Sequence, residues 1–306
     1  MDLATSFRIP EISLPDFVKE FFDDNKVEDG PVEDVGAGEL PTEAKTVRGD
    51  LWILGNHRLL CGDSTSIDDI NRLMGGARAD ICFTSPPYNV GRTPNGNEQK
   101  YLNESDDRES PEYCDFLCAF TSAALTVCDY VFNNIQSLSG NKVALIDYLY
   151  KMKSNYADTM IWDKLTSEPA MAKNVLNSRF EYVHVFSHRA KRVIGSKEFR
   201  GTLENIFQLN SRKGKEFSDI HKATFPSEFA EHFVSNFANT SVLEPFGGTG
   251  TTMIAAEKLG KSAFVMELEP VYCDVILNRY SKSTGNDPYR IAEDGTKVLW
   301  SRIQSQ

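Results

Sequence analysis

An α/β fold, a doubly wound and mostly parallel sheet with helices on both faces, is what the 306-residue sequence predicts. Three observations carry that expectation. Short apolar, strand-like runs alternate with helix-length segments from residue 50 onward, the pattern of successive βαβ units. A glycine-rich turn, Gly247-Gly248-Thr249-Gly250, separates an apolar run from a helix, and the next apolar run ends in Glu267, which makes half of a Rossmann-like nucleotide-binding unit. A third run, Ile81 to Phe83, stops abruptly in Thr84-Ser85-Pro86-Pro87-Tyr88, the way a buried strand delivers a stiff polar loop to a sheet edge.

Composition narrows the class. With 41% hydrophobic and 25% charged residues, the chain reads as globular, and no apolar run approaches the ~18–20 residues that span a bilayer. No basic segment followed by an apolar one opens the chain, so no signal peptide is expected and the protein is expected in the cytosol. The six cysteines form no CxxC pair, so neither a disulfide framework nor a metal site is indicated. A net charge of -11 argues at first against a nucleic-acid partner, but residues 1–50 alone hold 13 acids and 5 bases. Between 189 and 215 stand eight basic residues, Arg189, Lys191, Arg192, Lys197, Arg200, Arg212, Lys213 and Lys215, against two acids. A local basic segment in a nearly neutral body makes a phosphate footprint.

Taken in order, residues 1–49 read as an acidic arm, with a short helix over Leu14 to Phe22 followed by an apolar-poor run suited to a solvated linker or a docking or dimerisation arm. The core begins with two strands, Leu51–Leu54 and His57–Cys61, joined by a Gly55-Asn56 turn. Gly62-Asp63-Ser64-Thr65-Ser66 then leads into a helix from about Ile67 to Met74, where Asp63 and the hydroxyls suit a helix cap. After the Ser-Pro-Pro-Tyr strand comes a long polar loop, 91–111, of the kind that forms lids. A helix from Glu112 to Cys128, a strand Tyr130–Ile135, a helix Lys142–Lys151 and a strand Thr159–Trp162 follow. Strands Tyr182–Phe186 and Ile206–Leu209 bracket the basic segment, and an amphipathic helix, Ser227–Asn239, precedes the glycine turn. The expected division is a core over 50–285, with 50–163 carrying the Pro-Pro loop, 164–225 an inserted recognition region and 226–285 the glycine turn, then a tail over 286–306.

The chemistry lies in the two loops. Consecutive prolines fix two φ angles and remove two amide donors, leaving the Ser85 and Pro86 carbonyls to accept from elsewhere. In the glycine turn no lysine follows the glycines, which disfavours a P-loop, and Glu267, 17 residues after Gly250, is placed for ribose hydroxyls. Glu244 puts a negative charge at the mouth, repelling a pyrophosphate and attracting a cationic ligand.

Leu243-Glu244-Pro245-Phe246-Gly247-Gly248-Thr249-Gly250-Thr251-Thr252, taken with Thr84-Ser85-Pro86-Pro87-Tyr88, resembles the cofactor and catalytic motifs of the amino-directed DNA methyltransferases, which use S-adenosylmethionine. The order of catalytic motif, basic region and cofactor motif is similar to the beta group of that family, over roughly residues 50–285. The resemblance implies that Ser85, Pro86, Pro87 and Tyr88 are catalytic. It also implies that Glu244, Phe246, Gly247, Gly248, Thr249, Gly250 and Thr251 line the cofactor, with Glu267 on the ribose and Asp63 at the adenine edge. Phe225-Pro226-Ser227 matches the segment near the methionine carboxylate, although Ser227-Glu228 stands where the family often has Lys-Pro.

The substrate implied is double-stranded DNA, with the target base flipped out and stacked on Tyr88, and the eight basic residues on phosphates, with Asn205, Gln208 or Asn210 near bases. Ser85 at the first motif position is typical of cytosine-N4 enzymes, whereas adenine-N6 enzymes usually carry Asp or Asn there. The residues lean to cytosine N4, with adenine N6 on the same scaffold as the alternative; the more distant readings are RNA or protein-amide methylation, a nicotinamide-dependent oxidoreductase, and a degenerate, non-catalytic DNA-binding protein.

Overall fold

The computed structural model describes residues 32–90, 107–168, 173–189, 191–210, 225–292 and 294–305. The expected helix at Leu14 to Phe22, most of the loop 91–111, and Arg212, Lys213 and Lys215 lie outside these residues. Strands β1 (Leu51–Leu54), β2 (His57–Cys61), β3 (Ala79–Thr84), β4 (Cys128–Ile135), β5 (Tyr156–Glu168), β6 (Ser178–Ser187), β7 (Ile206–Gln208), β8 (Ser241–Glu244), β9 (Ser262–Glu267), β10 (Tyr289–Ile291) and β11 (Lys297–Leu299) form one sheet. Its order is β11-β10-β1-β2-β9-β8-β3-β4-β6-β5-β7. Between them run α1 (Ile67–Met74), α2 (Ser110–Val127), α3 (Lys142–Lys151), α4 (Ser227–Phe237), α5 (Thr251–Lys258), α6 (Pro270–Thr284) and α7 (Trp300–Gln304).

The centre of the sheet, β2-β9-β8-β3-β4, is parallel throughout. Strand alternation sends successive residues to opposite faces, and both faces are covered here. Leu59, Cys61, Ile81, Phe83, Ala263 and Val265 meet α4, α5 and α6 on one face. Leu60, Cys82, Phe264 and Met266 meet α1 and α2 on the other. Covering both faces is what makes these strands nearly continuous apolar runs.

One segment departs from the expected division, and the arm takes the docked form of its two expected ones. Residues 286–306 are not a tail: β10 and β11 extend the sheet beyond β1 by antiparallel pairing, and Trp300 is buried edge-on against Trp52 at 5.3 Å. The described part of the arm, residues 32–49, is docked on the core rather than a solvated linker. Ala37 is buried against Tyr272 and Val275 of α6, and the amides of Lys45 and Thr46 donate to the buried Asp274 carboxylate at 2.6 and 3.0 Å. A carboxylate that accepts two amides satisfies backbone groups that a linker would leave to water.

Candidate active site at the carboxyl edge of the sheet

Strand register brings the predicted residues together. Cys82 lies beside Leu243 in the β3–β8 pair, Glu244 beside Val265 in β8–β9, and Glu267 beside Cys61 in β9–β2. The loops that follow four adjoining parallel strands, carrying Asp63, Glu267, the glycine turn and Ser85, therefore emerge at one edge, where open α/β sheets bind ligands. The Thr84 hydroxyl donates to Glu244, tying the Pro-Pro loop to the glycine turn.

Glu244 is buried below the mouth rather than placed at it. Its carboxylate accepts the Thr84 hydroxyl, the Phe246 amide at 3.0 Å and the Thr252 hydroxyl at 2.9 Å. Burial pushes its pKa up to about 8, because the loss of water outweighs those three donors and the Glu267 charge adds to the rise. Glu267 accepts the Gly248 amide at 2.7 Å and the Glu269 amide at 2.9 Å, yet burial raises it to about 7. Gly247 packs so closely that a Cβ there would lie 2.6 Å from the Val265 side chain. Gly250, at φ +82°, turns the chain into α5 in a conformation that L side chains rarely adopt. The Phe246 ring packs on Phe116 and Phe120.

The Pro-Pro loop is held from several sides. Tyr113 donates to the Pro87 carbonyl at 2.6 Å and Asn141 to the Tyr88 carbonyl at 2.7 Å. Asn89, at φ +56°, exchanges two hydrogen bonds with the Arg108 backbone. Among the described residues no donor reaches the Ser85 or Pro86 carbonyl.

The Tyr88 hydroxyl centres a polar cluster that the sequence reading missed. It lies 3.0 Å from the Ser85 hydroxyl and donates towards Asn134 at 3.0 Å and Glu181 at 2.7 Å. Glu181 pairs with Lys164 at 2.6 Å, both nearly buried. A signal for Glu181 does exist: it shares the inward phase of β6 with Val183 and Val185, and a charge in an inward register is unusual. What it contacts depends on the pairing of β4 with β6 and β6 with β5.

The remaining predicted residues fall into two groups. Asp63 follows β2 and accepts the Thr65 amide at 2.9 Å and the Thr65 hydroxyl at 2.7 Å, while Ser66 caps α1. Phe225 packs on Phe83 and Phe229, and Pro226 precedes the first turn of α4. Five of the basic residues do not join the site. Because β6 runs antiparallel to β4, with Ser187 beside Tyr130, the chain leaves β6 at the opposite edge of the sheet. There the Ser196 hydroxyl binds the Asp80 carbonyl at the start of β3. Arg189, Lys191, Arg192, Lys197 and Arg200 thus sit at the amino edge of the parallel strands, with Arg192 paired to Asp158 and Arg200 to Glu198. Basic groups that the structure gives at the carboxyl side include Arg108, whose backbone meets Asn89 and whose guanidinium lies 4.3 Å over the Phe116 ring, Lys164, beside Tyr88 through Glu181, and Arg179, which forks onto Asp163 at 2.6 and 2.7 Å.

A doubly wound sheet whose glycine turn adjoins a Ser-Pro-Pro-Tyr loop defines a nucleotide-cofactor fold with a polar cluster beside it. The family model described as DNA methylase matches residues 79–278, and the chain belongs to that family. Among curated relatives it is 26% identical over 171 residues to the type II methyltransferase M.MthZI of Methanothermobacter thermautotrophicus, covering 47% of this chain and 48% of that one. It is 24% identical over 246 residues to the orphan methyltransferase M.BamHII of Bacillus amyloliquefaciens, covering 67% and 90%. The match thus spans about half the length of the first of these relatives. Of solved structures, the PvuII cytosine-N4-specific DNA methyltransferase superposes with a TM-score of 0.54 at 17% identity, over 79% of this chain and 90% of that one. The Thermus thermophilus protein TTHA0409, complexed with S-adenosyl-L-methionine, gives 0.50 at 21% identity, over 74% and 94%. At these identities the likeness speaks to the fold.

Proposed function

We propose that this chain methylates the exocyclic amine of a flipped base in double-stranded DNA, with cytosine N4 as the target and S-adenosylmethionine as methyl donor. The observation that carries the reading is the adjacency of β3 and β8, locked by Thr84 on Glu244, which sets the Ser85–Tyr88 loop against the glycine turn. The turn suits an adenosyl cofactor. A Cβ on Gly248 would meet nothing within 4 Å, and the buried Thr249 hydroxyl has no hydrogen-bond partner among the described residues. Gly247, Gly248, Thr249, Gly250, Thr251 and Phe246 would line it, Glu267 would take its ribose hydroxyls, and Asp63 and the Phe225-Pro226 segment would flank it. S-adenosylmethionine supplies an electrophilic methyl group when bound.

The protein's own contribution is positioning and a place for a proton. An exocyclic amine is a weak nucleophile because its lone pair is delocalised into the ring. Hydrogen bonds from the amine to the Ser85 hydroxyl and the Pro86 carbonyl favour a pyramidal nitrogen with a localised lone pair. Tyr88, 8% exposed with its hydroxyl fixed by Glu181 and Asn134, would stack on the flipped base once its ring is uncovered. The amine must also shed one proton. Ser85 Oγ would accept it while its own proton passes to the Tyr88 oxygen and that of Tyr88 to Glu181, so the proton ends on the Glu181 carboxylate, which becomes a neutral acid beside the Lys164 ammonium.

Ser85, in place of a carboxylate or amide, supports cytosine, and the PvuII enzyme of similar fold is named for that specificity. The membership of relatives in type II systems supports a modification role. Mass spectrometry of nucleosides from plasmid incubated with enzyme and S-adenosylmethionine is expected to show N4-methylcytosine; N6-methyladenine instead would move the target base. Ser85→Ala is expected to lower methyl transfer ~100-fold or more while S-adenosylhomocysteine binding holds. Equal loss of both would overturn the assigned roles.

A further inference from the structure

Arg279 of α6 is buried to 1% exposure, and its guanidinium is fully engaged. Nε and Nη2 fork onto the Asp34 carboxylate at 2.9 and 2.7 Å. Nη1 donates to the Thr249 carbonyl at 2.9 Å and the Thr251 hydroxyl at 3.2 Å, both in the glycine turn. Asp34 also accepts the Ser227 hydroxyl at 3.2 Å, at the start of α4, and the Gly36 amide at 3.0 Å. One carboxylate from the arm therefore joins α6, the glycine turn and α4, across 245 positions of sequence in the case of Arg279. Neither Asp34 nor Arg279 falls within the residues matched by the family model. Burial alone would raise the Asp34 carboxyl, but Arg279 outweighs it and holds the group below its ordinary value.

We propose that Asp34 is a positioning residue for the cofactor site: it holds Arg279 in place, Arg279 holds the Thr249–Thr251 turn in its binding conformation, and docking of the arm is thereby coupled to cofactor binding. The proposal rests on the reading of the glycine turn as the S-adenosylmethionine site. Its physical basis is preorganisation. Glycines at positive φ make the turn permissive, so a carbonyl fixed by a bidentate guanidinium removes conformers that ligand binding would otherwise have to exclude. A planar fork does this where an ammonium does not. Without Asp34 the guanidinium is a buried charge lacking its partner and will reorient towards water, taking the Thr249 carbonyl with it. Coupling of this kind is reciprocal, so cofactor must in turn stabilise the docked arm.

The test uses the full chain and S-adenosylhomocysteine as probe, titrated calorimetrically. Asp34→Asn is expected to weaken binding about tenfold and to raise the KM for S-adenosylmethionine equally, with a much smaller effect on kcat; Asp34→Glu should recover most of the loss. In hydrogen exchange on the wild-type chain, S-adenosylhomocysteine should slow the Gly36, Lys45 and Thr46 amides more than those of α3. Wild-type chain that binds no S-adenosylhomocysteine removes the cofactor reading and this inference together. Wild-type binding matched by Asp34→Asn overturns the inference alone, as does a variant that loses unfolding midpoint and kcat with its affinity intact. Should Asp34→Asn fail to fold, the wild-type exchange decides, and unchanged arm amides overturn the coupling.

Discussion

Glu181 donates nothing to the site directly, yet it fixes the hydroxyl of Tyr88, the ring proposed to stack on a flipped base. Replacing Glu181 by Gln keeps the size of the side chain and removes its charge, which leaves the Lys164 ammonium, 2.6 Å away and nearly buried, without its counter-ion. The Tyr88 ring then loses an orienting acceptor and the proton loses its destination. Single-turnover methyl transfer by Glu181→Gln is expected to fall about 10- to 100-fold, while S-adenosylhomocysteine affinity holds. In a Tyr88→Phe background the same substitution should cost much less, since the two groups act through one hydrogen bond. A Glu181→Gln chain that loses cofactor affinity as much as rate would refute the positioning role. Ser85, Pro86 and Tyr88 were legible in the sequence because their chemistry is local: two prolines and a hydroxyl within four residues. Glu181 and Lys164 were not, because they come from different strands and meet only through register.

The glycine turn illustrates what an element adds to its residues. Its spacing between two apolar runs signalled a βαβ unit, and the structure supplies the reason for one glycine in particular. A Cβ on Gly247 would lie 2.6 Å from Val265 Cγ1 and 3.2 Å from the Met266 carbonyl; Val265 is fully buried and has nowhere to move. Gly247→Ala is therefore expected to lower stability by ~1–3 kcal/mol and to weaken S-adenosylhomocysteine binding by displacing the Gly248 amide from Glu267. Urea unfolding and calorimetry would measure the two losses; a variant as stable as wild type would show that β9 yields at this point. The basic segment teaches the converse. Its charge was plain in the sequence, but charge carries no direction. The antiparallel entry of β6 puts Arg189 to Arg200 at the edge away from Ser85, a reversal that composition cannot reveal. The segments 286–306 and 32–50 were underestimated for a related reason: their strands and polar contacts are short, and their partners, Trp52 and Asp274, lie far away in sequence.

For the molecule as a whole, gathering two acids at one sheet edge has a consequence for stability. Glu244 and Glu267 ionise near 4.5 in an ordinary environment but at about 8 and about 7 in the folded chain. Between those values the folded state binds more protons than the unfolded one, so stability falls as pH rises. The contribution is fully present below about pH 4.5 and is lost as pH passes through about 7 and then about 8. His184 and His232 oppose this slope in its lower part, where the unfolded state binds the more protons at these two rings. Burial lowers both to about 4, so their effect is confined below the ordinary histidine value of 6.5. The ligand-free chain is thus expected to show a thermal midpoint that falls from about pH 6.5 to about pH 8 and levels off above it. Glu244→Gln and Glu267→Gln should each flatten the slope. Saturating S-adenosylmethionine should flatten it too, because a cationic ligand whose ribose hydroxyls donate to Glu267 favours the ionised carboxylates that the empty site disfavours. A midpoint that rises across this range in the ligand-free chain would mean that the three donors on Glu244 and the two amides on Glu267 outweigh burial, and that the site is poised with both acids already charged.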